Sequence, residues 1–137
     1  MATRPTEMAV LVCLMLLAAS LWMIPYIVGV NMHQREGVNP FQRPPGHDGL
    51  PDWVARAHRA HLNLLEQAVP FAILILVLDR VDTFTARTAR TAIAVLGLRV
   101  APAIGMITGT AQMPIRPLIF TARWVCIVIL GAAIFLA

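Results

Sequence analysis

The sequence predicts an all-α fold, an integral membrane bundle of four helices in a single domain, and three observations carry that prediction. Hydrophobic residues make up 58% of the chain and charged ones 13%, with mean hydropathy +0.73, against about 25% charged in an ordinary soluble domain. The apolar residues gather into four runs of membrane-crossing length, about 8–32, 52–78, 85–107 and 114–136. Turn-forming residues collect between them. A soluble domain of 137 residues buries only about two thirds of its surface, so this composition would leave large apolar patches in water. Lipid as solvent removes the difficulty.

The first run has no charge over residues 8–30, 23 positions, where about 20 suffice to cross the hydrocarbon core. Pro25 is expected to kink it. A cleaved signal peptide is the competing reading, because Arg4 precedes the run and Ala18-Ala19-Ser20 supplies small residues. The run continues through Leu21-Trp22-Met23-Ile24, past the about 7–15 residues of a signal core, which favours a span. Residues 33–51 form a polar loop rich in proline and glycine, with Asn39-Pro40, Arg43-Pro44-Pro45-Gly46 and Gly49-Leu50-Pro51. Pro51 suits the opening of a helix.

The second helix is polar in its first half and wholly apolar over 71–78, and Asp79-Arg80-Val81-Asp82 closes it. A third span carries Arg99 and Pro102 and ends at Thr108-Gly109-Thr110; a fourth has Arg116 at its entrance and Arg123 inside. Four crossings return the chain to its starting side. Arg4, Arg80, Arg87 and Arg90 fall on that side and Arg35, Arg43, Arg56 and Arg116 on the other, a balance from which the positive-inside rule gives no orientation.

All eleven basic residues are arginine, against seven acids, for a formal charge of +4. They are scattered between apolar runs without a basic stripe or interleaved aromatics, so no nucleic-acid partner is predicted. Arg4, Arg35, Arg43, Arg80, Arg87 and Arg90 read as solvated or headgroup-facing. Cys13 and Cys126 sit in apolar runs with no ligand-spaced histidine or cysteine and read as small hydrophobes, with neither a disulfide nor a metal site. The absence of lysine beside abundant arginine and alanine points to a GC-rich bacterial genome, and hence to an inner membrane.

Chemistry concentrates in Arg56-Ala57-His58-Arg59-Ala60-His61-Leu62-Asn63-Leu64-Leu65-Glu66-Gln67, which runs directly into apolar sequence. Arg59, Asn63 and Glu66, spaced i, i+4, i+7, share one helix face, while His58 and His61 turn aside. An ionised side chain at membrane depth costs on the order of 3 kcal/mol, so such groups face the bundle interior and take partners. Arg99 and Arg123 are the cations that can reach Glu66 from neighbouring helices, and such a pair can serve simply to glue the bundle together. Arginines in excess of one carboxylate at the mouth of a bundle, Arg59 and Arg116 among them, suit an anionic ligand gripped through paired hydrogen bonds. No Ser/His/Asp order, phosphate loop or metal motif is present in the sequence.

The stretch Arg59-Ala60-His61-Leu62-Asn63-Leu64-Leu65-Glu66, followed by Pro70-Phe71, resembles the second-helix signature of the MAPEG family, the membrane-associated proteins of eicosanoid and glutathione metabolism. Arg99-Val100-Ala101-Pro102-Ala103-Ile104-Gly105-Met106 and Pro114-Ile115-Arg116 resemble the third- and fourth-helix motifs of its prostaglandin E synthase and microsomal glutathione transferase branch. The resemblance covers essentially the whole chain. It implies a homotrimer of four-helix subunits that binds glutathione between neighbours and uses it on a hydrophobic small-molecule substrate. By position it implies Arg116 as the catalytic, thiolate-stabilising arginine, and Arg59, His61, Asn63, Glu66 and Arg99 as glutathione-binding residues. Pro102 and Met106 stand where that branch has histidine and tyrosine, Leu62 and Pro117 where it has arginine and serine, and Gln67 replaces an aromatic of the leukotriene synthases. Pro102 and Met106, in place of the histidine and tyrosine, remove hydrogen-bond donors and so weaken the glutathione site.

Three functions follow as expectations. The first is a glutathione-dependent membrane transferase or peroxidase acting on hydrophobic electrophiles. The alternative is a non-catalytic lipid- or partner-binding protein of the same fold. A small proton-coupled transporter working through Glu66 ranks last, because the four spans carry no inverted repeat.

Overall fold

A computed structural model describes residues 5–28, 51–110 and 115–136, with the side chains of 24–26, 115 and 116 outside that description. Helix α1, Thr6–Leu21, passes directly into a π-helical segment, Trp22–Ile27. Helices α2 (Asp52–Arg80), α3 (Ala86–Thr108) and α4 (Ile115–Phe135) follow. Except for Pro51, the expected polar loop lies outside the described residues. Three helical stretches are long and apolar enough to cross a membrane, Asp52–Arg80, Ala86–Thr108 and Pro117–Phe135, while Thr6–Leu21 is a shorter apolar helix.

The helices run up, down, up, down. Helices α2 and α3 form a central pair, with α1 and α4 each packed against both of them. Toward the start of α1 the core is filled by large side chains: Leu14, Phe71, Ile75, Leu78 and Leu130 are all 0% exposed. Toward the other end it is built from Ala18, Leu21, Leu64, Ala68 and Ala103. Lipid tails are as apolar as leucine, so close packing between helices, which alanine permits, holds such a bundle together.

The proline positions act locally. Proline has no N–H and its ring displaces the carbonyl four residues earlier. The α-helical part of α1 accordingly stops at Leu21, four residues before Pro25, and the chain widens into π geometry rather than breaking. Pro102 lies inside α3 and Pro70 inside α2, and both helices continue through them. At Pro70 the helix forgoes the N–H that would have bonded the Glu66 carbonyl.

Helix α3 has well-defined ends. Thr85 Oγ1 accepts from Thr88 N at 3.3 Å while Thr88 Oγ1 accepts from Thr85 N at 2.8 Å, a reciprocal capping box. Gly109 closes the other end with φ of 76°, a left-handed conformation glycine adopts without steric cost. Arg56 Nε, from the first turns of α2, donates to the Ile107 carbonyl at 3.4 Å, setting a cation against the negative end of α3.

Candidate functional site

The α2 face that packs inward carries Ala57, Ala60, His61, Leu64 and Ala68. Successive helical residues are about 100° apart, which turns Arg59 and Glu66 outward: both are exposed, and Asn63 is half-buried at the margin. The expectation that these polar groups face the interior of one bundle is therefore corrected. The polar residues divide into an outward layer, Arg59 and Glu66, and an inward layer, His61, Arg99 and Arg123.

The inward layer braces α2 from behind. Arg99, 3% exposed on α3, donates from Nη1 to the Asn63 carbonyl at 2.9 Å and from Nη2 to Gln67 Oε1. An Arg99–Glu66 ion pair, expected from the sequence, does not form among the described residues. Gln67 occupies the register that faces α3, and Glu66 lies one residue away around the helix. His61 turns away from the Arg59–Glu66 face, as its register predicts, and that takes it into the bundle: it is 8% exposed, and its Nδ1 lies 3.0 Å from the Ala18 carbonyl. A carbonyl only accepts, so Nδ1 carries the proton there. Trp22 packs near this ring, 5.4 Å from His61 and 6.4 Å from His58 between centroids.

Arg123 on α4 is 5% exposed. Its Nε donates to Ile119 O, one turn earlier, at 3.2 Å, and its guanidinium carbon lies 6.0 Å from the Phe120 ring centre. Arg99, Arg123, Asn63, Pro102 and Met106 all line a cavity of about 10 Å3. Asn63 Nδ2 approaches Met106 Sδ at 3.8 Å, a weak bond to a thioether. The backbone of Arg116 belongs to the first turn of α4, but its side chain, the expected catalytic group, lies outside the described residues.

Among the described residues no group of three or more His, Cys, Asp or Glu is placed to hold a metal ion. A larger cleft of about 700 Å3 sits at the opposite end of the bundle, between residues 82–87 and the last turns of α4. It contains none of the residues expected at the site.

Two participants escape sequence reading. Glu7 was passed over because the uncharged run begins one residue later. It is 3% exposed and accepts from Thr88 Oγ1 at 2.5 Å, at the positive N-terminal end of α3 where a carboxylate is favoured. Gln67 drew notice only as a replacement, although its i+4 spacing from Asn63 puts the two one turn apart.

No curated protein and no solved structure matches the chain significantly. A family model does: the one described as the MAPEG family matches residues 9–136, nearly the whole sequence. The chain, a helical bundle with membrane-length helices, belongs to the MAPEG family of integral membrane proteins.

Proposed function

We propose that the protein is a glutathione-dependent transferase or peroxidase of the bacterial inner membrane, nearest the prostaglandin E synthase and microsomal transferase branch, acting as a homotrimer on hydrophobic electrophiles. Family membership supports a role among membrane proteins of glutathione or eicosanoid metabolism. The observation that carries the finer reading is the outward face of α2. Arg59, Leu62, Glu66, Val69, Ile73 and Leu76 are all exposed and follow one another at spacings of three and four, the pattern of a helix–helix seam. An ionised residue at membrane depth costs about 3 kcal/mol without a partner, so Arg59 and Glu66 favour a site completed by a second copy of the chain.

In this reading Arg59 grips a carboxylate of the tripeptide, Glu66 holds its amino group, and Asn63 bonds its peptide backbone. His61 and Arg99 are positioning residues, which fix α2 through the Ala18 carbonyl, the Asn63 carbonyl and Gln67. Arg116 opens α4 at the end of the bundle where α2 begins. A guanidinium beside the thiol stabilises the thiolate, whose proton has left to solvent; the thiolate forms the new bond to the electrophile, and the bond broken there takes its electron pair to the departing group.

One contact favours the non-catalytic alternative. Asn63 Nδ2 is engaged with Met106 Sδ, and Pro102 lines the same cavity with no N–H to offer. Calorimetric titration of reduced glutathione into the detergent-solubilised protein, with Arg116→Ala alongside, separates the two. Saturable binding that the variant loses, with turnover of a model electrophile, supports the enzyme. No heat at millimolar glutathione refutes it and leaves the lipid- or partner-binding protein.

A further inference from the structure

The cleft at the end of the bundle away from Arg59 and Glu66 has walls of two kinds. The turn from α2 into α3 contributes Asp82, Thr85 and Arg87, and the last turns of α4 contribute Ile129, Ala132 and Leu136. The membrane-length stretches Ala86–Thr108 and Pro117–Phe135 respectively begin and end here, so the cleft lies where hydrocarbon gives way to headgroups. Its volume, about 700 Å3, is within the range of ligand pockets, roughly 300–1,000 Å3. The apolar wall continues beyond it. Val125, Val128, Ala132 and Leu136 are exposed and spaced by three and four along α4, an apolar stripe that leads from the polar wall into the membrane.

An open cleft of this size does not select a ligand by shape, so the charges on its rim decide. Asp82 and Arg87 line it, whereas Asp79, Arg80 and Arg90 do not. Both are exposed, and among the described residues neither side chain is held by a hydrogen bond or an ion pair. One carboxylate and one guanidinium above an apolar stripe complement an amphiphile whose head carries an ammonium and a phosphate. The guanidinium grips phosphate oxygens through paired hydrogen bonds, and a primary ammonium donates to the carboxylate. A trimethylammonium head has no N–H to donate, and a purely anionic head is repelled by Asp82.

We propose that this cleft binds one phospholipid with a phosphoethanolamine head, its phosphate on Arg87, its ammonium on Asp82 and an acyl chain along α4. No residue expected to hold glutathione lines the cleft, so the test is run without that ligand and its failure leaves the enzymatic reading untouched. The detergent-solubilised protein is incubated with phosphatidylethanolamine, phosphatidylcholine or phosphatidylglycerol carrying the same two oleoyl chains, and retained lipid is measured by native mass spectrometry. A saturable adduct of one lipid per subunit is expected with phosphatidylethanolamine, severalfold above the other two. Asp82→Asn should lose that preference over the choline lipid. Residue 82 has φ of 53°, a left-handed conformation that asparagine also tolerates, so the turn survives while the charge goes. Arg87→Gln should weaken retention of the ethanolamine and choline lipids alike. Ala132→Phe, which fills the hollow from an exposed position, should abolish the adduct and leave melting of the lipid-free protein unchanged. Equal retention of the three lipids, a preference for the choline or glycerol head, or an adduct that survives Ala132→Phe would overturn the proposal.

Discussion

Replacing Arg99 by methionine tests whether the α2 segment carrying Asn63 is held from behind. Hydrogen bonds to charged groups contribute about 1.5–3 kcal/mol in soluble proteins, whereas bonds between membrane helices average about 0.6 kcal/mol with a maximum near 1.7. A charged donor roughly doubles a neutral bond, which puts the Arg99–Gln67 bond at about 1–2 kcal/mol and the Arg99–Asn63 bond in the same range. Opposing this, methionine removes a desolvated cation from beside Arg123 and refills most of the stem's volume, returning on the order of 1 kcal/mol. The net expectation for Arg99→Met is a loss of about 1–3 kcal/mol, and a double-mutant cycle with Gln67→Leu should give a coupling of about 1–2 kcal/mol. Titration with a denaturing detergent in mixed micelles, followed by circular dichroism, measures both. Glutathione affinity should fall about fivefold for each 1 kcal/mol by which Asn63 is released. A coupling below about 0.3 kcal/mol, or a variant more stable than the parent, would show that desolvation outweighs the bonds and that Arg99 does not brace the site.

Thr88→Val should cost about 2–3 kcal/mol in the same assay, because it removes both half of the α3 capping box and the hydroxyl bonded to buried Glu7; a change under about 0.5 kcal/mol refutes that account. Ala68→Leu, at a position 2% exposed, should lose about 1–3 kcal/mol by overpacking the alanine layer, and unchanged stability would mean that the layer is loosely packed. For Gly109→Ala the added Cβ meets Arg56 only at 3.6 Å, so the cost should be the left-handed conformation alone, about 1 kcal/mol. A loss several times larger would place a clash there.

The four helices were legible because lipid imposes long apolar runs, and the described ends were legible where chemistry marks them: Thr85 before α3, Gly109 after it, Pro51 before α2. The site was legible only as a list. Periodicity puts Arg59, Asn63 and Glu66 on one face, but it does not say whether that face meets the bundle or looks away from it. That depends on which α2 stripe carries the alanines at 57, 60 and 68. The Arg99 partner was missed for a related reason: charge favours Glu66, whereas register favours Gln67, and a rigid helix lets register win. Glu7 was missed because its partner lies 81 residues away and only tertiary packing brings it beneath α3.

The widened turn at Trp22–Ile27 has a bearing on how this chain is lined up with its relatives. An i→i+5 turn takes one residue more than an i→i+4 turn, so it amounts to a one-residue insertion absorbed without a loop. Val28, the residue that follows, is shifted by one position relative to an unbroken helix of the same length. An ungapped alignment of an α-helical relative through Trp22–Ile27 would therefore pair backbone positions that are one step out of register.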